Sequence, residues 1–80
     1  MDNLDIQHHV QIRNMLYKYQ IEISQKIRDI RSKDWTSETE LIQSLVRIDL
    51  EVLQLELERV RSNVASQETL INSYMNNLEN

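Results

Sequence analysis

The sequence predicts an all-α fold: an antiparallel helical hairpin with coiled-coil character, which completes a helical bundle by self-association or by association with another protein. Three observations predict it. The 80 residues include neither Gly nor Pro, so the residues that most often interrupt helices are missing. Apolar residues recur at steps of three and four, the spacing of one helix face. The charge also reverses between the two halves, which suits two helices lying side by side.

The charge reversal is concealed by a net charge of only −4. Residues 10–33 carry six basic residues against two acids, whereas residues 34–80 carry three basic residues against nine acids. A chain of this length buries little surface on its own, and it has no Cys with which to form a disulfide. We therefore expect residues 1–80 to form a single domain that gains stability from a partner.

The first helix is predicted over residues 3–32. Asp2 or Asn3 is the predicted N-cap, and Asp5 complements the helix dipole in the first turn. The main apolar face has steps of 4, 3, 4, 4 and 3 and comprises Ile12, Leu16, Tyr19, Ile23, Ile27 and Ile30. A second and weaker apolar face comprises Ile6, Val10, Tyr17 and Ile21.

The turn between the helices is predicted at residues 33–36. Ser37 and Glu40 have the S-x-x-E spacing of a capping box, in which each side chain bonds a free backbone N–H at the helix start. Trp35 is expected to cover the end of the core. The alternative to a hairpin is one unbroken helix about 120 Å long, at a rise of 1.5 Å per residue.

The second helix is predicted over residues 37–78 and carries two apolar stripes with alternating steps of four and three. The short stripe comprises Leu41, Leu45, Ile48, Val52 and Leu55. The long stripe is interrupted by Gln67 and otherwise comprises Val46, Leu50, Leu53, Leu57, Val60, Val64, Ile71, Tyr74 and Leu78. One helix cannot cover both stripes. The long stripe is therefore predicted as the partner interface, which leaves the short stripe for the first helix.

Residues 62–80 differ in composition from the rest of the second helix. They contain two acids, no basic residue and five Asn, although the long stripe continues through them. Two interpretations stay open: a helix end that frays beyond its partner, or a docking segment that becomes ordered when a partner binds.

The sequence indicates no enzymatic chemistry, and no catalytic residue, cofactor or metal site is predicted. His8 and His9 are the only two histidines, and pairing His9 with Asp5 supplies two ligands where a closed zinc site needs four. The basic residues of the first helix scatter around its polar arc, whereas phosphate binding needs concentrated positive charge. No apolar run approaches the 18 residues of a membrane span, and the acidic start fits no signal peptide, so we expect a cytoplasmic protein.

These observations favour a non-enzymatic protein interaction or assembly module, either a homodimer or the partner of another helical protein. The length, the hairpin plan and the long second helix also resemble the small co-chaperones of bacterial type III secretion. That resemblance implies the alternative function, a small chaperone that shields a helical client. A helical-hairpin dimer that binds RNA is a third and weaker alternative.

Overall fold

The computed structural model describes residues 3–79 of the chain and the side chains of residues 6–78. It contains two helices, α1 (Asn3–Ser32) and α2 (Glu40–Glu79), packed as a hairpin. The all-α hairpin prediction is confirmed, and α1 has the predicted bounds. α2 begins three residues later than predicted.

The hairpin replaces the alternative of a single straight helix. The structure measures 61 × 16 × 14 Å, about half the length of a continuous helical rod at 1.5 Å per residue. The predicted N-cap at Asp2 or Asn3 and the first-turn role of Asp5 concern side chains outside the described residues.

Thr39, and not Ser37, caps the start of α2. The Thr39 hydroxyl accepts a hydrogen bond from the Ile42 N–H at 3.3 Å, and the Thr39 carbonyl accepts the Gln43 N–H at 3.0 Å. The predicted capping box is wrong because Ser37 lies inside a turn that the Glu38 N–H closes on the carbonyl of Trp35 at 3.1 Å. Ser37 is therefore too early in the chain to meet the first free N–H groups of the helix.

Trp35 closes the turn end of the hairpin. Its indole N–H donates to the carbonyl of Ile30 at 2.8 Å, in the last turn of α1, where helical carbonyls lack intrahelical partners. The ring borders a surface groove together with Val46 and Leu50 of α2. The Lys33 ammonium lies 5.7 Å from the ring centroid, within the range of a cation–π contact.

The core lies between α1 and the long stripe of α2. Ile23 and Ile27 of α1 are buried against Val60 and Val64, and Leu16 joins this cluster from α1. Three further long-stripe leucines pack around it, namely Leu50, Leu53 and Leu57. The residues predicted as a partner interface thus cover the hairpin's own first helix.

This arrangement reverses the predicted roles of the two stripes. The reason is their length: at 1.5 Å per residue the long stripe extends over about 48 Å, which matches the 30-residue α1, whereas the short stripe extends over about 21 Å. Packing α1 on the long stripe removes more apolar surface from water, and the hydrophobic free energy is roughly proportional to that area.

The last third of α2 is part of the core. Ile71 and Tyr74 are buried, and Tyr74 borders the same surface groove as Ile6 and His9 of α1. Neither predicted alternative for residues 62–80, a frayed end or a docking segment without intramolecular contacts, describes this packing. Leu78, at 63% exposure, projects beyond it, and Leu70 and Met75 are about half exposed.

Candidate interaction surface

The short stripe of α2 is an apolar surface that α1 leaves uncovered. At about 100° of rotation per residue, it lies roughly 140° around the helix axis from the long stripe, on the side of α2 away from α1. Each of its five side chains is at least half exposed: Leu41 70%, Leu45 51%, Ile48 53%, Val52 56% and Leu55 65%. Isolated exposed apolar residues are ordinary on protein surfaces, but a contiguous apolar patch indicates an interaction site.

The spacing of the short stripe fits one neighbouring helix. Its steps of 4, 3, 4 and 3 repeat every 3.5 residues on average, as a helix packed along a coiled-coil seam requires. The same face of α2 then continues as Arg59, Ser62 and Ser66, so the apolar surface ends after Leu55. It therefore accommodates a partner segment of about 21 Å, or roughly two heptads.

Carboxylates line both edges of the short stripe. Asp49 and Glu56 follow one edge at heptad spacing, and Glu51 and Glu58 follow the other. Residues 40–59 carry five acids and two basic residues, Arg47 and Arg59, for a net charge of −3, and Arg59 borders a groove with Leu55 and Glu56 at the end of the short stripe. The candidate surface is thus an apolar seam between two acidic borders.

Two tyrosines of α1 bond carboxylates of α2 across the hairpin. The Tyr19 hydroxyl donates to Glu56, and the Tyr17 hydroxyl donates to Glu68. Each hydrogen bond raises the pKa of its tyrosine above the ordinary value of 10.0, because the carboxylate favours the protonated phenol. The Tyr19 bond also holds Glu56 in place along one border of the short stripe.

The polar interruption of the long stripe has a partner on α1. Gln67 Oε1 lies 2.7 Å from His9 Nδ1, and both residues are partly buried. A single buried polar pair of this kind fixes the register of two helices, because any slip leaves both groups unpaired. The sequence indicates His9 and Gln67 separately, the first as one of two histidines and the second as the interruption of the long stripe. Their pairing follows only from the antiparallel register of the two helices.

The remaining exposed apolar residues of α1 do not form a second seam. Met15 and Tyr19 lie one turn apart, as do Tyr17 and Ile21, but the two pairs lie on different faces of the helix and neither extends to a third exposed apolar residue. Within the described residues, the short stripe is the longest run of exposed large apolar side chains at helical spacing.

Neither a metal site nor a membrane-spanning helix is found among residues 3–79. Those residues bring together no group of three or more His, Cys, Asp or Glu able to hold a metal ion. They also contain no helix long and apolar enough to cross a membrane.

The residues predicted as the partner interface are distributed over three environments. Val60, Val64, Ile71 and Tyr74 are buried, Leu78 is exposed, and the others are half-buried: Val46, Leu50, Leu53 and Leu57. The short stripe was recognised in the sequence but assigned to the wrong neighbour. No family model, no curated protein and no solved structure matches the chain.

Proposed function

We propose that this hairpin is a non-enzymatic protein interaction module that binds a helical partner along the short stripe of α2. The observation that carries the proposal is the alignment of five large aliphatic side chains, each at least half exposed, at the spacing of a helix-packing seam. Burying them would contribute about 0.8 kcal/mol per CH₂ group. A small domain has only several kcal/mol of total stability, so this contribution is large for it.

Substitution of Ile48, the central residue of the short stripe, tests the proposal. We expect Ile48→Asp to remove partner binding, because complex formation would bury an unpaired carboxylate. The matched control is Ile21→Asp, since Ile21 is similarly exposed but lies on α1, away from the short stripe. Both variants should retain the parent's circular dichroism spectrum, because neither side chain is in the core.

The measurement combines co-purification from the native host with light scattering across a dilution series. The parent and Ile21→Asp should retain the same associated species, and Ile48→Asp should lose it. Equal association of all three proteins would show that the short stripe is not the binding surface.

The chaperone alternative uses the same surface for a different purpose. An exposed seam on a folded hairpin can cover an apolar helix of a client that aggregates when alone. The two functions differ in what happens to the partner: a client of a chaperone precipitates without the hairpin, whereas a partner in an assembly stays in solution. The acidic borders of the stripe disfavour the third alternative, since nucleic-acid phosphates are also negative.

A further inference from the structure

We infer that the occupant of the short stripe is a basic amphipathic helix of another protein, with apolar residues at heptad spacing and Lys or Arg on both sides of them. The inference rests on the proposed function and specifies the chemistry of the partner. It follows from the charges that border the stripe and from what a second copy of this chain, or a membrane, would place against them.

The acidic borders select a basic partner. In a helix pair, the residues that flank the apolar seam face the flanking residues of the other helix. Here those positions are Asp49 and Glu56 on one side and Glu51 and Glu58 on the other. An occupant with basic flanks would form opposite-charge pairs along both borders, whereas one with acidic flanks would be repelled along both.

A second copy of the chain fits this surface poorly. Two short stripes packed in parallel would bring Glu51 near Glu56 of the other copy, and antiparallel packing with the two stripes fully overlapped would bring Asp49 near its own counterpart. The basic helix α1 of a second copy has favourable charges but no apolar seam on its outer side, where Met15 and Ile21 stand apart. A second copy thus supplies either the seam or the charge, but not both.

A membrane surface is also a poor occupant. Helices that lie in a lipid interface typically border their apolar face with Lys and Arg, which are attracted to anionic headgroups. The short stripe has the opposite border, with four carboxylates. Anionic lipids would repel it.

The test uses two fluorescent peptides of about 21 residues, three heptads with the same Leu seam, that differ only in flanking Lys or flanking Glu. Fluorescence anisotropy with the full chain measures the Kd of each. We expect the Lys peptide to bind the parent at least about tenfold more tightly, since four favourable pairs replace four unfavourable ones. Added salt should reduce the difference, because exposed charges are screened.

A charge-reversal variant separates local pairing from overall charge. Asp49→Lys/Glu51→Lys should shift the preference toward the Glu peptide. The matched control is Glu22→Lys/Asp29→Lys, which makes the same change in net charge at exposed positions of α1. That control should retain the parent's preference for the Lys peptide.

Four outcomes would overturn the inference. They are equal binding of the two peptides, binding of neither, the same shift in both double variants, or a parent homodimer that Ile48→Asp dissociates. These outcomes are distinct from a failure of the proposed function. If the native partner is lost on Ile48→Asp but neither peptide binds, the interaction surface stands and the partner's chemistry is wrong. If Ile48→Asp has no effect on association, the surface itself is wrong.

Discussion

Single side chains set the start of α2, the register of the two helices and the ionisation of the tyrosines between them. At this scale the contribution of each group depends on its hydrogen-bond partner. Thr39 meets a free backbone N–H of the helix, Gln67 meets His9, and Tyr17 meets Glu68. Each contact can be removed by one substitution.

Thr39 and Ser37 both carry hydroxyl groups near the start of α2, but only Thr39 should contribute to stability as a cap. Thr39→Ala should lower the free energy of unfolding by about 0.5–2 kcal/mol, the usual effect of losing an N-cap side chain. Ser37→Ala should change it little, because Ser37 is an exposed residue of the turn. Urea denaturation measures both. A larger effect of Ser37→Ala would restore the capping box that the sequence predicted.

The His9–Gln67 pair should be coupled in its effect on stability. Gln67→Ala should lower the free energy of unfolding by about 1 kcal/mol, the net contribution of an ordinary hydrogen bond. The effect should shrink when His9 is already Ala, and a double-mutant cycle measures this coupling. Asn63→Ala, an exposed change on α2, is the control. Additive effects of the two substitutions would contradict a direct contact.

Ionisation of Tyr17 should depend on Glu68. The hydrogen bond to Glu68 raises the pKa of Tyr17 above 10.0, so its contribution to stability is complete below about pH 10 and is lost as pH rises through the folded-state pKa. Glu68→Gln should move part of the tyrosinate absorbance titration to lower pH. In the Tyr17→Phe background the same substitution should leave the titration unchanged, and a shift there would assign the effect to another tyrosine.

At the scale of the element, α2 is a helix with two apolar faces of unequal length. The long stripe accounts for the fold, because it runs along the whole of α1 and includes the last third of α2. The short stripe is confined to the turn-proximal third of the hairpin and accounts for the proposed binding. Between Arg59 and Leu78, α2 has no second stripe, because its exposed large apolar residues outside the long stripe are Leu70 and Met75, which are five residues apart and lie on different faces.

The contribution of the last third of α2 to stability can be measured by substituting two adjacent residues, one buried and one exposed. Ile71→Ala should lower the free energy of unfolding by about 2–5 kcal/mol, as expected for a large-to-small change in a core. Leu70→Ala should cost much less, because Leu70 is 49% exposed whereas Ile71 is 7% exposed. Amide exchange around Ile71 should be slow in the isolated protein. Fast exchange there would favour the frayed end or the docking segment.

At the scale of the whole molecule, the two helices form an elongated pair with one covered and one uncovered face of α2. A two-helix hairpin has a single layer of contact, so each helix keeps most of its circumference in water. This geometry leaves room for an additional helix against α2 without any rearrangement of α1. The surface available for binding is therefore a consequence of the hairpin architecture.

Spin labels at Gln7 and Asn76 test this architecture. Both positions are exposed and lie at the open end of the hairpin, where interhelical distances of 8–10 Å place the labels within about 30 Å of each other. A continuous helix would separate them by about 100 Å. Labels at Gln7 and Arg28, both on α1, are the control and should be about 31 Å apart in either arrangement. A long Gln7–Asn76 distance would exclude the hairpin.

Much of the fold could be predicted from the sequence because it depends on local properties. The absence of Gly and Pro and the regular spacing of apolar residues indicate two long helices, and the bounds of α1 follow from them. Both stripes of α2 were recognised for the same reason. The five residues of the short stripe can therefore be recognised from the sequence, but their exposure cannot.

The choice between the stripes needed the tertiary structure. Both have the same steps of three and four, so periodicity cannot distinguish them, and the outcome depends on the apolar area that each buries along the full length of α1. The His9–Gln67 pair depends on a contact between segments distant in sequence. The cap at Thr39 depends on the path of the turn that precedes it. A local pattern specifies which surfaces a helix offers, whereas packing specifies which of them the molecule covers, because the free energy of burial is a property of both partners.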